Sequence, residues 1–231
     1  MFADRAEAGR RLARELDHLA GDEPVVVGLP RGGVPVAAEV ARALAAPLDV
    51  ILVRKVGVPF QPELAMGAIG EGGVTVVNGE VVDLAGITTS QFEQVAQRER
   101  VELERRANLF RRDRLPIPLA GRTVIIVDDG IATGSTARAA CQAARAHRAA
   151  RVVMAVPVAP ADWIARFGEV ADEYVAVETP ENFGAVGAFY QDFRQVSDDD
   201  VVRFLNATAL RANNDPTVDA RPASGDPDPA S

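Results

Sequence analysis

The amino-acid sequence predicts an α/β protein built on a doubly wound, mainly parallel sheet. Short apolar runs rich in β-branched residues alternate along the chain with longer segments of helical composition, the order that a parallel sheet requires. No internal repeat with a period of twenty to fifty residues breaks this alternation. With 231 residues and 48% hydrophobic content, we expect one domain with an elaboration rather than two full domains.

The first part of the chain is predicted to supply a scaffold helix and two strand-helix units. An amphipathic stripe of leucines indicates the first helix, and apolar runs rich in valine indicate the strands. The predicted elements are a helix over residues 3–20, a strand over 24–29, a helix over 34–44 and a strand over 48–53.

Basic residues follow both of these predicted strands. Pro30-Arg31-Gly32-Gly33 follows the first, where adjacent glycines let a ligand approach the backbone and Arg31 can contact phosphate oxygens with two donors. Arg54 and Lys55, the only lysine, follow the second, at the edge where ligands bind in open parallel sheets. Each segment also has a simpler interpretation. Residues 30–33 could be a plain turn with a surface arginine, and Arg54 and Lys55 could merely make a strand end soluble.

The middle of the chain is predicted to contain a loop and a long helix. Residues 57–73 contain too much glycine and proline for a helix, so we expect a mobile loop with strand-like pieces, followed by a strand over 74–77. Ser90-x-x-Glu93 fits a capping box that opens a helix to about residue 111. The helix has one apolar side, formed by Phe92, Ala96, Leu103, Ala107 and Phe110. Its charged faces indicate a solvated or dimer-lining helix.

The segment 124–136 is predicted to be the centre of the molecule. Four consecutive β-branched residues, 124–127, predict a strand buried on both faces that ends at Asp128 and Asp129. Two carboxylates about 4 Å apart repel by roughly 4 kcal/mol at an effective dielectric of 20, so we expect Mg²⁺ or a pair of sugar hydroxyls beside them.

A loop rich in glycine and hydroxyl groups follows the acids and leads into a helix that starts near Thr136. The first N–H groups of a helix lack backbone partners and carry partial positive charge, which favours an anion there. Thr133, Ser135 and Thr136 can add hydroxyl donors. Phosphate, carboxylates and a polyol together indicate a sugar phosphate.

The remaining elements are predicted as a strand over 151–156, a helix over 161–167, a strand over 174–177 and a helix that Ser197 caps and that ends near 210. The segment 178–193 is rich in aromatic residues and glycine and is expected to form a pocket wall or a lid. Its Phe183, Phe189 or Tyr190 could stack on a planar ring, and Asp192 could accept a hydrogen bond from it. Residues 212–231 form an acidic, proline-rich tail that we expect to be disordered.

Composition excludes several classes of function. The net charge of −8 argues against a nucleic-acid partner, which would need a clustered basic face. Apolar runs long enough for a membrane span or a signal peptide are not found, and the single cysteine, Cys141, indicates neither a disulfide nor a cysteine metal site. A cytoplasmic protein is expected.

The segment 124–136 resembles the signature of type I phosphoribosyltransferases, in which four hydrophobic residues precede two acids and a Thr-Gly-x-Thr loop. The likeness covers roughly residues 20–195 and implies that family's sheet, with a small hood over 178–195 and a helical insertion over 85–115, within a single domain over 1–211. It also implies a flexible catalytic loop over 57–73.

Carried over to this sequence, the resemblance implies a site for phosphoribosyl pyrophosphate. Asp128 and Asp129 would contact the ribose hydroxyls, directly or through water bound to Mg²⁺, and with Lys55 would be the catalytic residues. The 5-phosphate would lie on Ala132, Thr133, Gly134, Ser135 and Thr136. The pyrophosphoryl group would lie on Arg31, Gly32, Gly33, Arg54 and Lys55. The resemblance further implies a cis peptide bond before Arg31.

The expected activity is Mg²⁺-dependent transfer of the phosphoribosyl group to a nitrogenous acceptor, with release of pyrophosphate. Family members that act on 6-oxopurines usually carry an acid where this chain has Ala132, and Ala132 is what adenine- and uracil-type members tend to show. A regulatory protein that binds phosphoribosyl pyrophosphate without turnover is the alternative. A domain for another nucleotide is less favoured, because Gly-x-x-x-x-Gly-Lys-Ser/Thr and Gly-x-Gly-x-x-Gly are both missing. The resemblance also implies a homodimer.

Overall fold

The structure is a computed structural model that describes residues 1–112 and 114–212. Its strands are β1 (Val25–Gly28), β2 (Leu48–Val50), β3 (Val53–Val58), β4 (Gln61–Gly70), β5 (Thr75–Val77), β6 (Thr123–Val127), β7 (Arg151–Val158) and β8 (Glu173–Glu178). Its helices are α1 (Arg5–Glu15), α2 (Gly33–Ala43), α3 (Gly79–Leu84), α4 (Thr89–Arg111), α5 (Ser135–Ala146), α6 (Trp163–Phe167) and α7 (Asp198–Ala212).

Helices cover both faces of a parallel sheet with the strand order β2-β1-β6-β7-β8, which confirms the predicted doubly wound fold. Along β6, Ile125 and Val127 face a core shared with α1 and α2. Val124 and Ile126 face the opposite core, which is shared with α5 and α6. Since successive strand residues point to opposite faces and all four are fully buried, Asp128 is the first residue after β6 that can present a polar side chain to a ligand.

The structure contains a second, antiparallel sheet with the order β3-β4-β5, and it corrects two sequence predictions. The strand predicted over 48–53 ends at Val50, and the predicted loop over 57–73 is mostly β4. The glycines of this segment predict a loop from the sequence alone. In the structure they instead allow neighbouring strands to come close to each other. A Cβ at Gly57 would lie 2.4 Å from the Pro62 carbonyl oxygen, and one at Gly67 would lie 2.4 Å from the Val76 carbonyl oxygen.

The long helix α4 has the predicted length and buried stripe but a different cap. Thr88 caps it: its hydroxyl accepts from the Gln91 N–H at 3.3 Å, and the Gln91 side chain accepts from the Thr88 N–H at 2.9 Å. The capping box predicted at Ser90 and Glu93 is therefore wrong. Both tetrads fit the same pattern, and spacing alone cannot choose between them.

The start of the chain lies beside the segment predicted as the hood. Phe2 donates its N–H to the Phe189 carbonyl oxygen at 2.7 Å and accepts from the Gln191 N–H at 2.8 Å. α1 then begins after Asp4, whose side chain accepts from the Glu7 N–H. It is shorter than the predicted helix, because a 3₁₀ turn follows over 17–22.

At the other end, Ser197 caps α7 as predicted, since its hydroxyl accepts from the Asp200 N–H at 3.1 Å. The tail predicted over 212–231 lies outside the described residues, except for residue 212. Within the residues that the structure describes, none of the helices has both the length and the apolar character that a membrane span needs.

Candidate functional site

The carboxyl ends of β1 and β6 bring the glycines after β1 against the two acids. A Cβ placed on Gly32 would lie 2.0 Å from Oδ2 of Asp129, and one on Gly33 would lie 2.8 Å from the Asp128 Cα. Only glycine allows this approach, so the loop that follows β1 and the acids that follow β6 form one surface. The peptide bond between Pro30 and Arg31 is cis, as the resemblance implies.

The acid pair is largely buried and electrostatically strained. Asp128 accepts a hydrogen bond from the Asp129 N–H at 2.9 Å. Burial raises the pKa of the Asp128 carboxyl well above its ordinary value, and the neighbouring Asp129 charge raises it further. Burial also raises the pKa of Asp129, although Arg5 opposes that shift. Two such carboxylates favour a ligand that supplies a cation or hydroxyl donors.

Arg5 is a site residue that sequence analysis missed. Its Nε and one terminal nitrogen each lie 2.8 Å from Oδ2 of Asp129, and another nitrogen donates to the Arg194 carbonyl oxygen at 2.8 Å. Its guanidinium lies 3.9 Å from the centre of the Phe193 ring. A signal was available, because Arg5 is the first residue of α1, where a positive charge opposes the helix dipole and therefore needs a tertiary partner.

The loop after the acids presents the start of α5 to the same edge. Gly134 adopts a φ of 76° before the helix, and a Cβ there would lie 2.3 Å from the Phe167 ring. The position therefore requires glycine both for its backbone conformation and for lack of space. Ala132, Thr133, Ser135 and Thr136 are exposed around it. The predicted phosphate-binding residues therefore surround a helix N-terminus that a ligand can reach.

The three predicted cations are paired with acids from other elements. Arg31 lies 3.8 Å from an Asp198 side-chain oxygen. Arg54 donates to Glu99 of α4 at 2.7 Å, and Lys55 lies 3.2 Å from Glu63 of β4. Arg54 and Lys55 are adjacent within β3, so their side chains point to opposite faces of the second sheet. Arg54 faces the strand-end loops, where it lines a cleft with Pro30 and Thr136.

A cleft of about 470 Å³ lies beside Ala132 and Thr133, in the loop that follows the two acids. Residues from three strand-end loops line it: Ala132, Thr133, Pro160, Ala161, Asp162, Glu181, Phe183 and Gly184. Of the residues predicted to contact an acceptor, Phe183 lines this cleft and stacks on Phe189 with ring centres 5.5 Å apart. Sequence analysis missed Asp162 and Glu181, although both follow parallel strands.

The other two predicted acceptor residues have internal partners. Tyr190 is buried, and its hydroxyl donates to the Asp129 carbonyl oxygen at 2.6 Å. Asp192 is bound by Arg194, whose hydrogen bonds lower the pKa of the Asp192 carboxyl. Tyr190 therefore helps to position the acid pair through the backbone of Asp129.

Comparisons with known proteins found a matching family and several similar proteins. The family described as phosphoribosyl transferase domain matches residues 3–194. A Mycobacterium tuberculosis protein, provisionally named phosphoribosyl transferase Rv0571c, is 58% identical over 206 residues, which cover 89% of this chain and 46% of that protein. The bifunctional protein PyrR of Chloroflexus aurantiacus is 34% identical over 113 residues, covering 47% of this chain and 55% of that protein.

Among solved structures, that of TT1426 from Thermus thermophilus is similar, with a TM-score of 0.81 and 47% identity over 89% of this chain and 97% of that one. The present chain spans about half the length of the mycobacterial relative. The family match extends over most of the chain and contains the acids, the glycine loop and the helix start described above. The chain therefore belongs to the phosphoribosyl transferase family.

Proposed function

We propose that the protein transfers a phosphoribosyl group from phosphoribosyl pyrophosphate to a nitrogenous acceptor, a nucleobase or a related compound, and releases pyrophosphate. The observation that carries the proposal is the contact of Gly32 with the Asp129 carboxylate, next to the start of α5. These three features match the three parts of the donor: pyrophosphate, ribose and 5-phosphate.

Each part of the donor would meet a different kind of group. The N–H groups at the start of α5 and the hydroxyls of Thr133, Ser135 and Thr136 bind the 5-phosphate. The two acids orient the ribose by accepting hydrogen bonds from its hydroxyls. Backbone of the 31–33 loop and the nearby guanidinium groups bind the pyrophosphoryl end, which neutralises the leaving group.

The residues present fit a magnesium ion that is held largely by the donor. Clusters of three or more metal-binding side chains do not occur in the described part of the chain, but two adjacent carboxylates do. Mg²⁺ commonly keeps several waters and binds one or two carboxylates plus substrate phosphates. When bound, it would neutralise charge on the pyrophosphate.

The acceptor would occupy the 470 Å³ cleft beside Ala132, next to the ribose position. As pyrophosphate leaves C1, the carbon takes on oxocarbenium character and the acceptor nitrogen bonds to it. The chain contributes by positioning both reactants and excluding water. Ala132, where 6-oxopurine enzymes of the resembled family usually carry an acid, favours an acceptor of another type.

The test is pyrophosphate release from phosphoribosyl pyrophosphate and Mg²⁺ across a panel of nucleobases. We expect release with at least one acceptor, and we expect the double variant Asp128→Asn/Asp129→Asn to abolish it. Asp17→Asn is the control, because that acid is exposed in the 3₁₀ turn 17–22, outside the loops predicted to bind the donor or the acceptor. If the double variant releases pyrophosphate at the wild-type rate, the donor-site assignment is wrong.

A sensor that binds the donor without turnover is the second candidate. It is favoured by the pairing of Asp129 with Arg5, which already occupies one carboxylate oxygen of the acid pair with two donors. Calorimetry separates the two functions: a sensor binds phosphoribosyl pyrophosphate but gives no pyrophosphate with any acceptor in the panel.

A further inference from the structure

A second, much narrower cleft of about 30 Å³ lies between α4 and the strand-end loops of the proposed donor site. Its lining comes from the ends of β1 and β2, the start of β3, one face of α4 and the start of α5. Leu29, Ile51, Leu52 and Leu103 make it partly apolar, and Arg54 and Arg106 are its charged members. The cleft therefore presents two guanidinium groups beside Pro30 and Thr136.

Arg106 reaches this cleft because of the helical repeat of α4. Glu99, Leu103 and Arg106 are spaced by four and three residues, which places them on one face of the helix. That face packs over β3, where Glu99 binds Arg54. The helix that sequence analysis interpreted as an insertion thus turns a basic residue toward the donor-binding edge.

We infer that Arg106, together with Arg54, binds the polyphosphate end of the donor, so that α4 is part of the donor site. This inference rests on the proposed function and adds a residue to it. A guanidinium group suits the role because its fork of N–H donors matches two phosphate oxygens at once.

Arg106 can leave its present partner at little cost. Its Nε donates to Oε1 of Glu102 at 2.9 Å, but Arg105 holds both oxygens of the same carboxylate, at 2.7 and 2.9 Å. Glu102 therefore stays paired when Arg106 turns to a phosphate. The hydrogen bonds from Arg105 and Arg106 lower the pKa of Glu102 to about 2, so its carboxylate is ionised at neutral pH.

Arg105 also provides a matched control. It neighbours Arg106, carries the same charge and binds the same Glu102, but it is not among the residues that line the cleft. Arg105→Gln and Arg106→Gln remove the same charge, and each leaves Glu102 bound to the other arginine. Only the second removes a donor from the cleft.

The experiment is calorimetric titration of the full chain with three probes in the presence of Mg²⁺: phosphoribosyl pyrophosphate, inorganic pyrophosphate and ribose 5-phosphate. We expect Arg106→Gln to weaken binding of the first two by about tenfold or more and Arg105→Gln to change it by less than about twofold. Ribose 5-phosphate lacks the pyrophosphoryl group, so its affinity should be the same in both variants. Arg54→Gln should behave like Arg106→Gln.

Two results would overturn the inference alone. One is equal affinity of the Arg105 and Arg106 variants for pyrophosphate and for the full donor. The other is a loss of ribose 5-phosphate binding in Arg106→Gln as large as the loss of pyrophosphate binding, which would indicate a general structural defect. If the wild type does not bind phosphoribosyl pyrophosphate either with or without Mg²⁺, the proposed function fails and the inference fails with it.

Discussion

At the scale of single residues, Asp129 lies where three distant parts of the chain meet. Arg5 from the first turn of α1 binds its carboxylate, Gly32 packs against the same oxygen, and Tyr190 donates to its carbonyl. Asp128 beside it is partly buried and accepts a hydrogen bond from the Asp129 N–H. Contacts from distant parts of the chain thus fix the position of the acid pair. Burial and mutual repulsion of the two carboxylates lower the stability of the fold, as is common at functional sites.

Arg5→Gln tests how strongly this arrangement depends on the ion pair. We expect the variant to lose roughly 2–3 kcal/mol in free energy of unfolding, since hydrogen bonds to charged groups contribute about 1.5–3 kcal/mol and Arg5 is only 11% exposed. Urea unfolding measures the change. Arg11→Gln is the control: Arg11 also pairs with an acid, Glu178, and lies over a ring, but it is 31% exposed and should lose only about 0–1 kcal/mol. Equal losses would contradict the prediction.

Asp128→Asn should stabilise the protein at neutral pH. The asparagine oxygen can still accept from the Asp129 N–H, while the buried charge and its repulsion of Asp129 are removed. For a chain of this size, each 1 kcal/mol raises Tm by about 2–4 °C, and a rise in that range or larger is expected at pH 7.5. Asp192→Asn, which removes an acid stabilised by Arg194, should not raise Tm.

The same variant has a defined pH dependence. Because the pKa of Asp128 is raised in the folded state, the folded chain holds a proton that the unfolded chain has released. Wild-type stability is therefore lost as pH rises from the unfolded value near 3.9 through the raised folded value. The Tm difference between the variant and wild type should grow over this window and be smallest below about pH 4. A difference independent of pH would contradict the assignment.

At the scale of elements, the end of α4 is anchored by a buried ion cluster. Arg111 is 7% exposed, donates to Asp49 at 2.9 Å and to the Val50 carbonyl oxygen at 2.8 Å, and also binds Glu71. Asp49 in turn accepts from the Ile117 N–H at 2.9 Å. These bonds tie α4 to β2 and to the end of β4, which fixes the helix over the second cleft.

Arg111→Met should therefore destabilise the protein by about 3–5 kcal/mol, because it leaves the Asp49 carboxylate buried without its cation. Denaturant unfolding, followed by circular dichroism, measures the loss. The double variant Asp49→Asn/Arg111→Met should recover part of it, since the unpaired charge is then gone. A double variant less stable than Arg111→Met would show that the buried charge is not the cause. Arg112→Met, one residue on, controls for the loss of a positive charge at the helix end.

At the scale of the whole molecule, the proposed donor site joins α1, α4 and α5 with loops from both sheets. A ligand bound there contacts elements far apart in sequence and should stabilise the entire fold, because it binds the folded chain only. At a hundred times its Kd, phosphoribosyl pyrophosphate with Mg²⁺ would add about 2.7 kcal/mol, or roughly 5–11 °C in Tm. Thermal unfolding with increasing donor measures this shift. Asp128→Asn/Asp129→Asn should show little of it, and a full shift in that variant would contradict the site.

The homodimer that the resemblance implies stays a prediction for the whole molecule. Light scattering at micromolar concentration tests it, and a clean monomer would count against it. Exposed apolar side chains such as Leu84 and Val101 do not decide the matter, because single exposed hydrophobic residues are common on monomers.

The local signals in this chain predicted the strands of the parallel sheet and most of the helices, but not the β3–β4 hairpin of the second sheet. The run 124–127 reads as a buried strand because β-branched residues fill both faces of a parallel sheet. Gly32, Gly33 and Gly134 were informative because backbone approach and a left-handed φ are local requirements that glycine satisfies. Where local patterns fit two structures, as with the capping boxes at Thr88 and Ser90 or the glycines of β4, the sequence did not discriminate.

By itself, the sequence determined the fold class and the kind of ligand expected at the ends of β1 and β6, because both follow from periodicity and from short-range chemistry. Only the tertiary structure decided where the basic side chains of α1 and α4 lie and which acids they pair with. Arg5, Arg106 and Arg111 are separated from their site or their partners by tens of residues, and only packing of α1 and α4 onto the sheets brings them there. Tertiary structure also separates Arg54 from Lys55. They are adjacent in β3, so Arg54 points to the cleft beside Pro30 and Thr136 while Lys55 points to the opposite face of the second sheet.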